Sequence, residues 1–363
     1  QNPAKLRRHI IIMNHYPSNV KEKLNSIILS MAEHHWLFSK NPGHDFTRQH
    51  LGKLSFYDTM RLIISMGKGS TNDEIMDYFD LDPDLIPSQS AFCQRRRQIS
   101  LSAFEYLFSE FSSSFPSTTD KFKDHCILAC DGCHVVYATN SDIIEDYNKP
   151  RLIDYKGYNH MHLNGFVDVI SKAFLDVVIQ PGQQPDEREA LHSMLDHFTP
   201  DDPQKYIITA DRGYESYDLL FHCELKNLGY VFRVKSPSSP KSILSYYASE
   251  FPDDLEDFDV TIKRFFTDKA TNIMKSQSDV YRYINPSKNT PHFYELLRKN
   301  HSHLYFLQFR VVKIKTAENT QEIYSRLILY NFGIFIANEA AEENRKKKRD
   351  GSNKYLYELD FSS

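Results

Sequence analysis

The chain has little glycine and proline, few cysteines and no long hydrophobic run. Its 363 residues include 12 glycines and 16 prolines, too few for a collagen-like or low-complexity protein. Five unevenly spaced cysteines do not form a disulfide framework and favour reduced thiols in a cytoplasm. The longest apolar run, residues 325–337, contains Arg326 and Asn331 and is too short to cross a bilayer. We therefore expect a folded cytoplasmic protein without a transmembrane segment.

Several functional motifs are also missing. The chain has no glycine-rich phosphate loop and no Gly-x-Ser-x-Gly elbow, which excludes the enzyme classes that depend on them. Gln1–Met13 is basic and isoleucine-rich, but no small-residue cleavage site follows it, so export is not expected. The net charge of −4 does not indicate nucleic-acid binding by itself, so local patches would have to provide it.

Histidines and cysteines form only weak metal-site patterns. Cys126, Cys130 and Cys133 lie near His125 and His134, but a structural zinc site normally pairs two ligand clusters and no second cluster is evident. His160 and His162 share one face of a predicted strand, a pattern more typical of packing than of metal binding. Neither pattern predicts a zinc protein.

The length predicts two or three domains. Helical periodicity dominates residues 1–120, and a stretch rich in Ser, Thr and Pro, Ser112–Thr119, resembles a linker. Residues 121–235 alternate between strands and helices and form the predicted core, whereas residues 236–319 predict a β-rich insertion. Residues 320–363 predict a long apolar helix followed by a basic tail at Arg345–Arg349.

The helical region contains a candidate DNA reader. Ser70–Glu74 has the pattern of a capped helix start, and Asp82–Pro87 links that helix to a second one over Ser88–Ile99. Helix, turn and basic helix together indicate a helix-turn-helix motif, with an ordinary helical hairpin and a solvated arginine face as the alternative. The candidate DNA-binding residues on the second helix are Arg95, Arg96 and Arg97.

The predicted core is a mixed α/β sheet. The predicted strands are Cys126–Cys130, His134–Ala138, His160–Ile170, Ala173–Gln180, Tyr206–Ala210 and Tyr230–Val234. The predicted helices are Asp186–Phe198 and Tyr217–Leu228. Three neighbouring strands followed by helix, strand, helix and strand indicate a mixed sheet flanked by helices.

Two aspartates follow apolar strands of this core. Asp131 comes directly after Cys126–Cys130, and Asp211 directly after Tyr206–Ala210. If the two strands are parallel neighbours, both carboxylates meet at one edge of the sheet and can hold hard cations such as Mg²⁺. The alternatives are a hairpin turn at Asp131 and Gly132, and a plain strand-to-helix loop after Asp211.

The motifs around these aspartates resemble those of IS4-family bacterial transposases. The resemblance rests on Ile208–Ser216, on His162–Gly165 and Val178–Gly182 upstream, and on Phe232–Lys235 downstream. It resumes at 309–313 and 325–332.

This resemblance implies a ribonuclease-H-like catalytic domain with an Asp-Asp-Glu site, in which Asp131 and Asp211 are catalytic ligands of Mg²⁺ or Mn²⁺. It also implies that Arg212 and Tyr214 line the DNA-facing site, and that the partner is double-stranded DNA, at element ends and target, bound by a homodimer in the bacterial nucleoid. The implied reaction is cut-and-paste transposition.

One departure from the family pattern concerns the third carboxylate. The family has Tyr, two residues, Arg, three residues, Glu, six residues and Lys after its β-rich insertion, and this chain lacks that pattern. Tyr230 and Arg233 match its start, but Pro237 stands where Glu is required. Glu322, Glu339 and Glu343 are weak substitutes. We therefore expect impaired transposase activity, with an inactive DNA-binding remnant and a metal-dependent nuclease as alternatives.

Overall fold

The computed structural model describes residues 19–46, 54–114, 122–149, 157–254, 257–269, 271–285 and 290–313. They belong to two compact units. One lies within Gln1–Val234 and Asn289–Leu296, and the other within Lys235–Lys288 and Leu297–Ser363. The predicted C-terminal helix and the basic run 345–349 lie outside the described residues. None of the helices described here has the length and apolar character needed to cross a membrane.

The N-terminal region is helical, as predicted. Residues 19–33 form helix α1, and a short 3-10 helix follows at His35–Leu37. Serine side chains cap the next helices. Ser55, Ser70 and Ser88 each accept a hydrogen bond from a backbone amide in the first turn, which satisfies donors that a helix start leaves free. The remaining helices here are α2 (Phe56–Ser65), α3 (Thr71–Tyr78), α4 (Gln89–Gln98) and α5 (Leu101–Ser113).

Helices α2, α3 and α4 pack around one small apolar cluster. Leu54, Leu62, Ile75 and Phe92 are its buried members. The predicted helices on either side of Asp82–Pro87 are thus confirmed, while the reading of DNA by α4 stays a prediction.

The core of the first unit is a six-stranded mixed sheet with strand order β2-β3-β1-β5-β6, in which β4 also pairs with β3. Strands β3 and β4 run antiparallel to their neighbours, whereas β1, β5 and β6 are parallel. The strands are β1 (Cys126–Tyr137), β2 (Tyr147–Asn148), β3 (Tyr158–Asp168), β4 (Phe174–Pro181), β5 (Tyr206–Ala210) and β6 (Gly229–Phe232). This confirms the mixed α/β prediction.

One strand differs from the sequence-based expectation. The predicted strands at Cys126–Cys130 and His134–Ala138 are a single strand, β1. It pairs with β3 without interruption from Leu128 opposite Asp168 to Tyr137 opposite Asn159. Asp131 and Gly132 therefore form no hairpin turn, because the long antiparallel partner keeps the backbone extended through them.

Helices α6 (Glu187–His197) and α7 (Tyr217–Leu225) bury their apolar sides against this sheet. Alternate residues of β1 point into the same core, as expected for period-two side chains. The buried cluster is Leu128, Cys130, Phe166, Ala190, Leu191, Met194, Leu195, Ile208, Ala210, Tyr214, Leu219, Cys223 and Leu228.

The second unit is built on a three-stranded sheet with order β8-β7-β9. Its strands are β7 (Phe258–Thr267), β8 (Tyr281–Tyr283) and β9 (Leu304–Lys313), and helix α8 (Asn272–Ser276) lies between β7 and β8. Buried Arg264 pairs with Glu250 and lies over the ring of Tyr247. Helix α9 spans Pro291–Lys299, and its residues up to Leu296 belong to the first unit.

Replacing Leu191 by alanine tests the core. Leu191 is fully buried beneath the sheet, so Leu191→Ala should lower the free energy of unfolding by about 2–5 kcal/mol through lost burial and the cavity left behind. Leu101→Ala is the matched control, because Leu101 is 70% exposed and surface changes usually stay within about 0.5 kcal/mol. Chemical unfolding curves measure both, and equal effects would contradict this packing.

Candidate active site

The parallel ladder between β1 and β5 sets the two candidate aspartates side by side. Its last pair is Cys130 opposite Ala210, and Asp131 and Asp211 are the next residues on each strand. Neighbouring strands lie about 4.8 Å apart, so the aspartates occupy adjacent backbone positions. β5 ends there, whereas β1 continues along β3 alone. Asp131 thus lies within a strand and not at a strand end, but still at the edge where β5 stops.

Each aspartate is anchored through one oxygen. Asp131 Oδ1 accepts a hydrogen bond from the Gly132 amide at 2.9 Å, and Asp211 Oδ1 accepts one from the Gly213 amide at 2.6 Å. Both side chains are exposed. The second oxygen of each carboxylate accepts no hydrogen bond from the described residues, so it has free lone pairs. Oxygen donors of this kind are the ones that Mg²⁺ and Mn²⁺ prefer.

A third carboxylate lies at the same place, and the sequence analysis did not identify it. Glu187 is the first residue of α6, after the N-cap Asp186. A Cβ atom added at Gly132 would lie 2.9 Å from Glu187 Oε1, and one added at Gly213 would lie 3.0 Å from Glu187 Oε2. The Glu187 carboxylate therefore faces both glycines that anchor the aspartates. Acidic residues in a first helical turn usually serve the helix dipole, which is why the pattern at 186–189 gave no hint of this position.

Other side chains approach the backbone closely at Gly132 and Gly213, and this explains why both residues are glycine. A side chain at Gly132 would also lie 2.5 Å from His162 Nε2, and one at Gly213 would lie 2.9 Å from Asp211 Oδ1. Separations of this size are shorter than van der Waals contact, so a larger residue would push the site apart. Arg188 Nε donates to the Gly213 carbonyl at 3.3 Å, which holds the start of α6 against the loop after Asp211.

A buried histidine completes the surroundings of Glu187. His162 on β3 is 3% exposed, and its Nε2 lies 3.2 Å from Glu187 Oε1. Neither ring nitrogen of His162 makes a hydrogen bond to the described residues. His134 on the facing strand stacks edge-on against it at 4.8 Å between ring centroids. His162 therefore lies where it can limit the position of the Glu187 carboxylate.

Arg212 and Tyr214, which the family resemblance implies face DNA, differ in their exposure to solvent. Arg212 is exposed beside Asp211, whereas Tyr214 is only 1% exposed and belongs to the buried core. Burial raises the pKa of the Tyr214 hydroxyl, and it raises the pKa of the neighbouring Cys130 thiol to about 12. Tyr214 supports the loop after Asp211 from beneath, and Arg212 is the one of the pair that is exposed on the surface.

The three candidate DNA-binding arginines of α4 also differ in their exposure to solvent. Arg95 is half-buried, its guanidinium lies 5.2 Å from the centre of the Phe46 ring, and it donates to Gln98 Oε1 at 2.9 Å. Burial lowers the pKa of Arg95. Arg96 and Arg97 are exposed. The outer face of α4 therefore presents two arginines, and the third is engaged within the protein.

In this sheet the strands β4, β3 and β1 are antiparallel, and β1, β5 and β6 are parallel. With Asp131 on β1, Asp211 directly after β5 and helices covering the sheet, the fold is that of a ribonuclease-H-like domain. Residues 122–326 match the family model described as "Transposase DDE domain". This match covers more than half of the chain, which therefore belongs to the DDE transposase family. A search of curated proteins gives no significant match.

Alkylation of cysteines tests the direction of side chains along β1. Cys130 points into the core and its pKa is raised to about 12, whereas Cys133 is exposed. At about pH 8, well below that raised pKa, Cys130 remains a thiol and only the thiolate reacts. Iodoacetamide should modify Cys133 in the native protein, as measured by mass spectrometry, and Cys130 only after unfolding. Cys133→Ser is the control, and native labelling of Cys130 at the rate of Cys133 would contradict the register.

Proposed function

We propose that this chain is a cut-and-paste DNA transposase of the IS4 type whose divalent-cation site is formed by Asp131 and Asp211. The observation that supports the proposal most strongly is the parallel register of β1 and β5, which makes the two aspartates neighbours at one edge of the sheet. Their free carboxylate oxygens suit Mg²⁺ or Mn²⁺, and such ions would neutralise charge on the phosphate during phosphodiester cleavage.

Glu187 supplies the third carboxylate in this proposal. The family's usual position lies in a sequence pattern that this chain lacks, whereas Glu187 faces both anchoring glycines. Among the described residues, these three carboxylates are not a group whose ligand atoms already converge on one ion.

The proposed reaction has two steps. A water molecule first attacks the phosphodiester at the end of the element, forming one P–O bond and breaking another, which frees a 3′ hydroxyl. That hydroxyl then attacks a phosphodiester of the target DNA, and one P–O bond again replaces another. Asp131, Asp211 and Glu187 would hold the ions, which would neutralise charge on the reacting phosphate, while exposed Arg212 would pair with the DNA backbone.

A second candidate function is a DNA-binding remnant that occupies element ends without cutting them. The absence of the family's third-carboxylate pattern favours it. The two functions make the same prediction for DNA binding and opposite predictions for cleavage. A homodimer in the DNA complex is part of both proposals.

Substitution of the aspartates tests the catalytic proposal. Asp211→Asn keeps the shape of the side chain and removes its charge, so cleavage of a duplex carrying the terminal sequences that flank the gene should fall by about 100-fold or more. DNA binding in a gel-shift assay should stay unchanged. Asp202→Asn is the control, because Asp202 pairs with Lys205 on an exposed surface. Full cleavage by Asp211→Asn would refute the assignment.

Glu187→Gln separates the two candidate functions. If Glu187 is the third carboxylate, Glu187→Gln should lower magnesium-dependent cleavage as much as Asp211→Asn does. Glu189→Gln, a change in the same helical turn at an exposed position, should leave cleavage intact. If the unsubstituted chain binds DNA but does not cleave it, its function is instead that of the DNA-binding remnant. Cleavage that survives in Glu187→Gln would show that another carboxylate completes the site.

The exposed arginines of α4 should contribute to DNA affinity. Arg96→Ala with Arg97→Ala should weaken binding to all sequences if they contact phosphates, and should reduce the slope of log affinity against log salt concentration by about 1 per lost contact. Arg61→Ala is a suitable comparison, because Arg61 lies against the rings of Tyr57 and Tyr78. An unchanged salt slope in the double variant would argue against α4 as the DNA reader.

A further inference from the structure

Three histidines from separate helices of the first unit converge away from the aspartates. His192 lies on α6, His222 on α7, and His292 is the second residue of α9. One ring nitrogen from each lies within 4.8 Å of the others, and this is the only group of three or more such metal-binding side chains among the described residues. His222 is 1% exposed, and the other two side chains are largely buried.

Carboxylates behind the rings determine which nitrogens carry protons. Buried Asp218 accepts hydrogen bonds from His292 Nδ1 at 2.7 Å and from the backbone amides of His292 and Phe293 at 3.1 and 3.2 Å. His292 therefore carries its proton on Nδ1, which leaves a lone pair on Nε2. In the same way, Asp196 Oδ1 lies 3.2 Å from His222 Nε2, which favours a free lone pair on His222 Nδ1.

The third imidazole faces that lone pair directly. His192 Nδ1 lies 2.9 Å from His222 Nδ1, while His192 Nε2 lies 3.7 Å from Asp218 Oδ2. With the His222 lone pair on Nδ1, this contact is a hydrogen bond that His192 Nδ1 donates, and a divalent cation could take the place of the shared proton between the two nitrogens. A carboxylate that holds the far nitrogen of a ligand histidine is the usual second shell of a metal site.

The protein also keeps the rings of His192 and His222 neutral. Burial, together with nearby His292, lowers the pKa of His192 to about 4 and that of His222 to about 2. Neutral imidazole is the form that binds metals. The rings are stacked, with centroids 3.8 Å apart for His222 and His292. Convergence on one ion requires rotation about the bond from Cβ to the ring, a torsion with a broad energy minimum.

We propose that His192, His222 and His292 form a binding site for a divalent transition metal of the zinc class, with Asp218 as the residue that positions His292. Three imidazoles suit Zn²⁺ or Co²⁺ and not Mg²⁺, which prefers oxygen. The site joins α6 and α7 to the start of α9, so the bound ion stabilises this part of the fold. The inference does not depend on the proposed function, because none of these residues belongs to the aspartate site.

Metal titration of the full chain tests the site. After treatment with a chelator, the protein carrying both Asp131→Asn and Asp211→Asn is titrated with Co²⁺ and then with Zn²⁺, which excludes binding at the aspartates. We expect one Co²⁺ per chain with the visible absorption of nitrogen coordination, displacement by Zn²⁺, and a higher melting temperature with Zn²⁺. Mg²⁺ should produce none of these effects. A lack of Co²⁺ and Zn²⁺ binding would overturn the proposal.

Variants of the ligands identify which residues hold the ion. His292→Gln and His192→Gln should each weaken Co²⁺ binding by at least about 100-fold, and Asp218→Asn by about 10- to 100-fold, the range typical of second-shell changes. His197→Gln is the control, since His197 ends the same helix and its side chain is 68% exposed. Circular dichroism identifies any variant that fails to fold.

The metal content of the unsubstituted protein, measured by mass spectrometry after purification without added metal, provides a readout that does not depend on the variants. About one zinc-class ion per chain supports the site, whereas its absence together with no binding in the titration refutes it. Equal Co²⁺ affinity in folded His292→Gln, His192→Gln and His197→Gln would also overturn the assignment.

Discussion

The parallel pairing of β1 with β5 is the constraint on which the candidate active site depends. Asp131 and Asp211 are 80 residues apart in the chain, and backbone hydrogen bonds from Cys126 opposite Tyr206 to Cys130 opposite Ala210 bring them together. The pairing is stable because one face of both strands is buried under α6 and α7. A shift by one residue would move the apolar side chains to the other face and separate the aspartates. Core packing and site geometry are thus fixed by the same register.

The surroundings of the aspartates depend on close approach as much as on charge. Glycines at 132 and 213 supply the backbone amides that anchor the two carboxylates, and the lack of a side chain at each leaves room for Glu187. Tyr214 and Cys130 fill the core below, so the loop after Asp211 rests on packed, neutral groups. The sheet edge therefore combines exposed carboxylates with a rigid apolar base, a combination that holds ligands in position.

The same two helices carry a second cluster of a different chemical kind. One imidazole from α6, one from α7 and one from the start of α9 come together, and Asp218 binds both the ring and the backbone of His292. Oxygen donors at the sheet edge and nitrogen donors between the helices favour different cations. Under the two proposals, one domain has a site with hard oxygen ligands at the sheet edge and a separate site with softer nitrogen ligands between the helices.

The sequence by itself determined the class of fold and most helix and strand positions, and it singled out the two aspartates as candidates, because these depend on local periodicity, capping residues and motifs that contiguous residues carry. Tyr206–Ala210 was predicted at its observed bounds, and Ser70 was predicted as a helix cap.

Only the tertiary structure decided that Asp131 and Gly132 lie inside a long strand, since a distant partner strand overrides the local turn preference of that pair. It also decided that Tyr214 is buried, that Arg95 is engaged within the protein and that Glu187 and the three histidines are gathered from separate elements. Such proximity is set by strand register and helix packing, which no local pattern encodes.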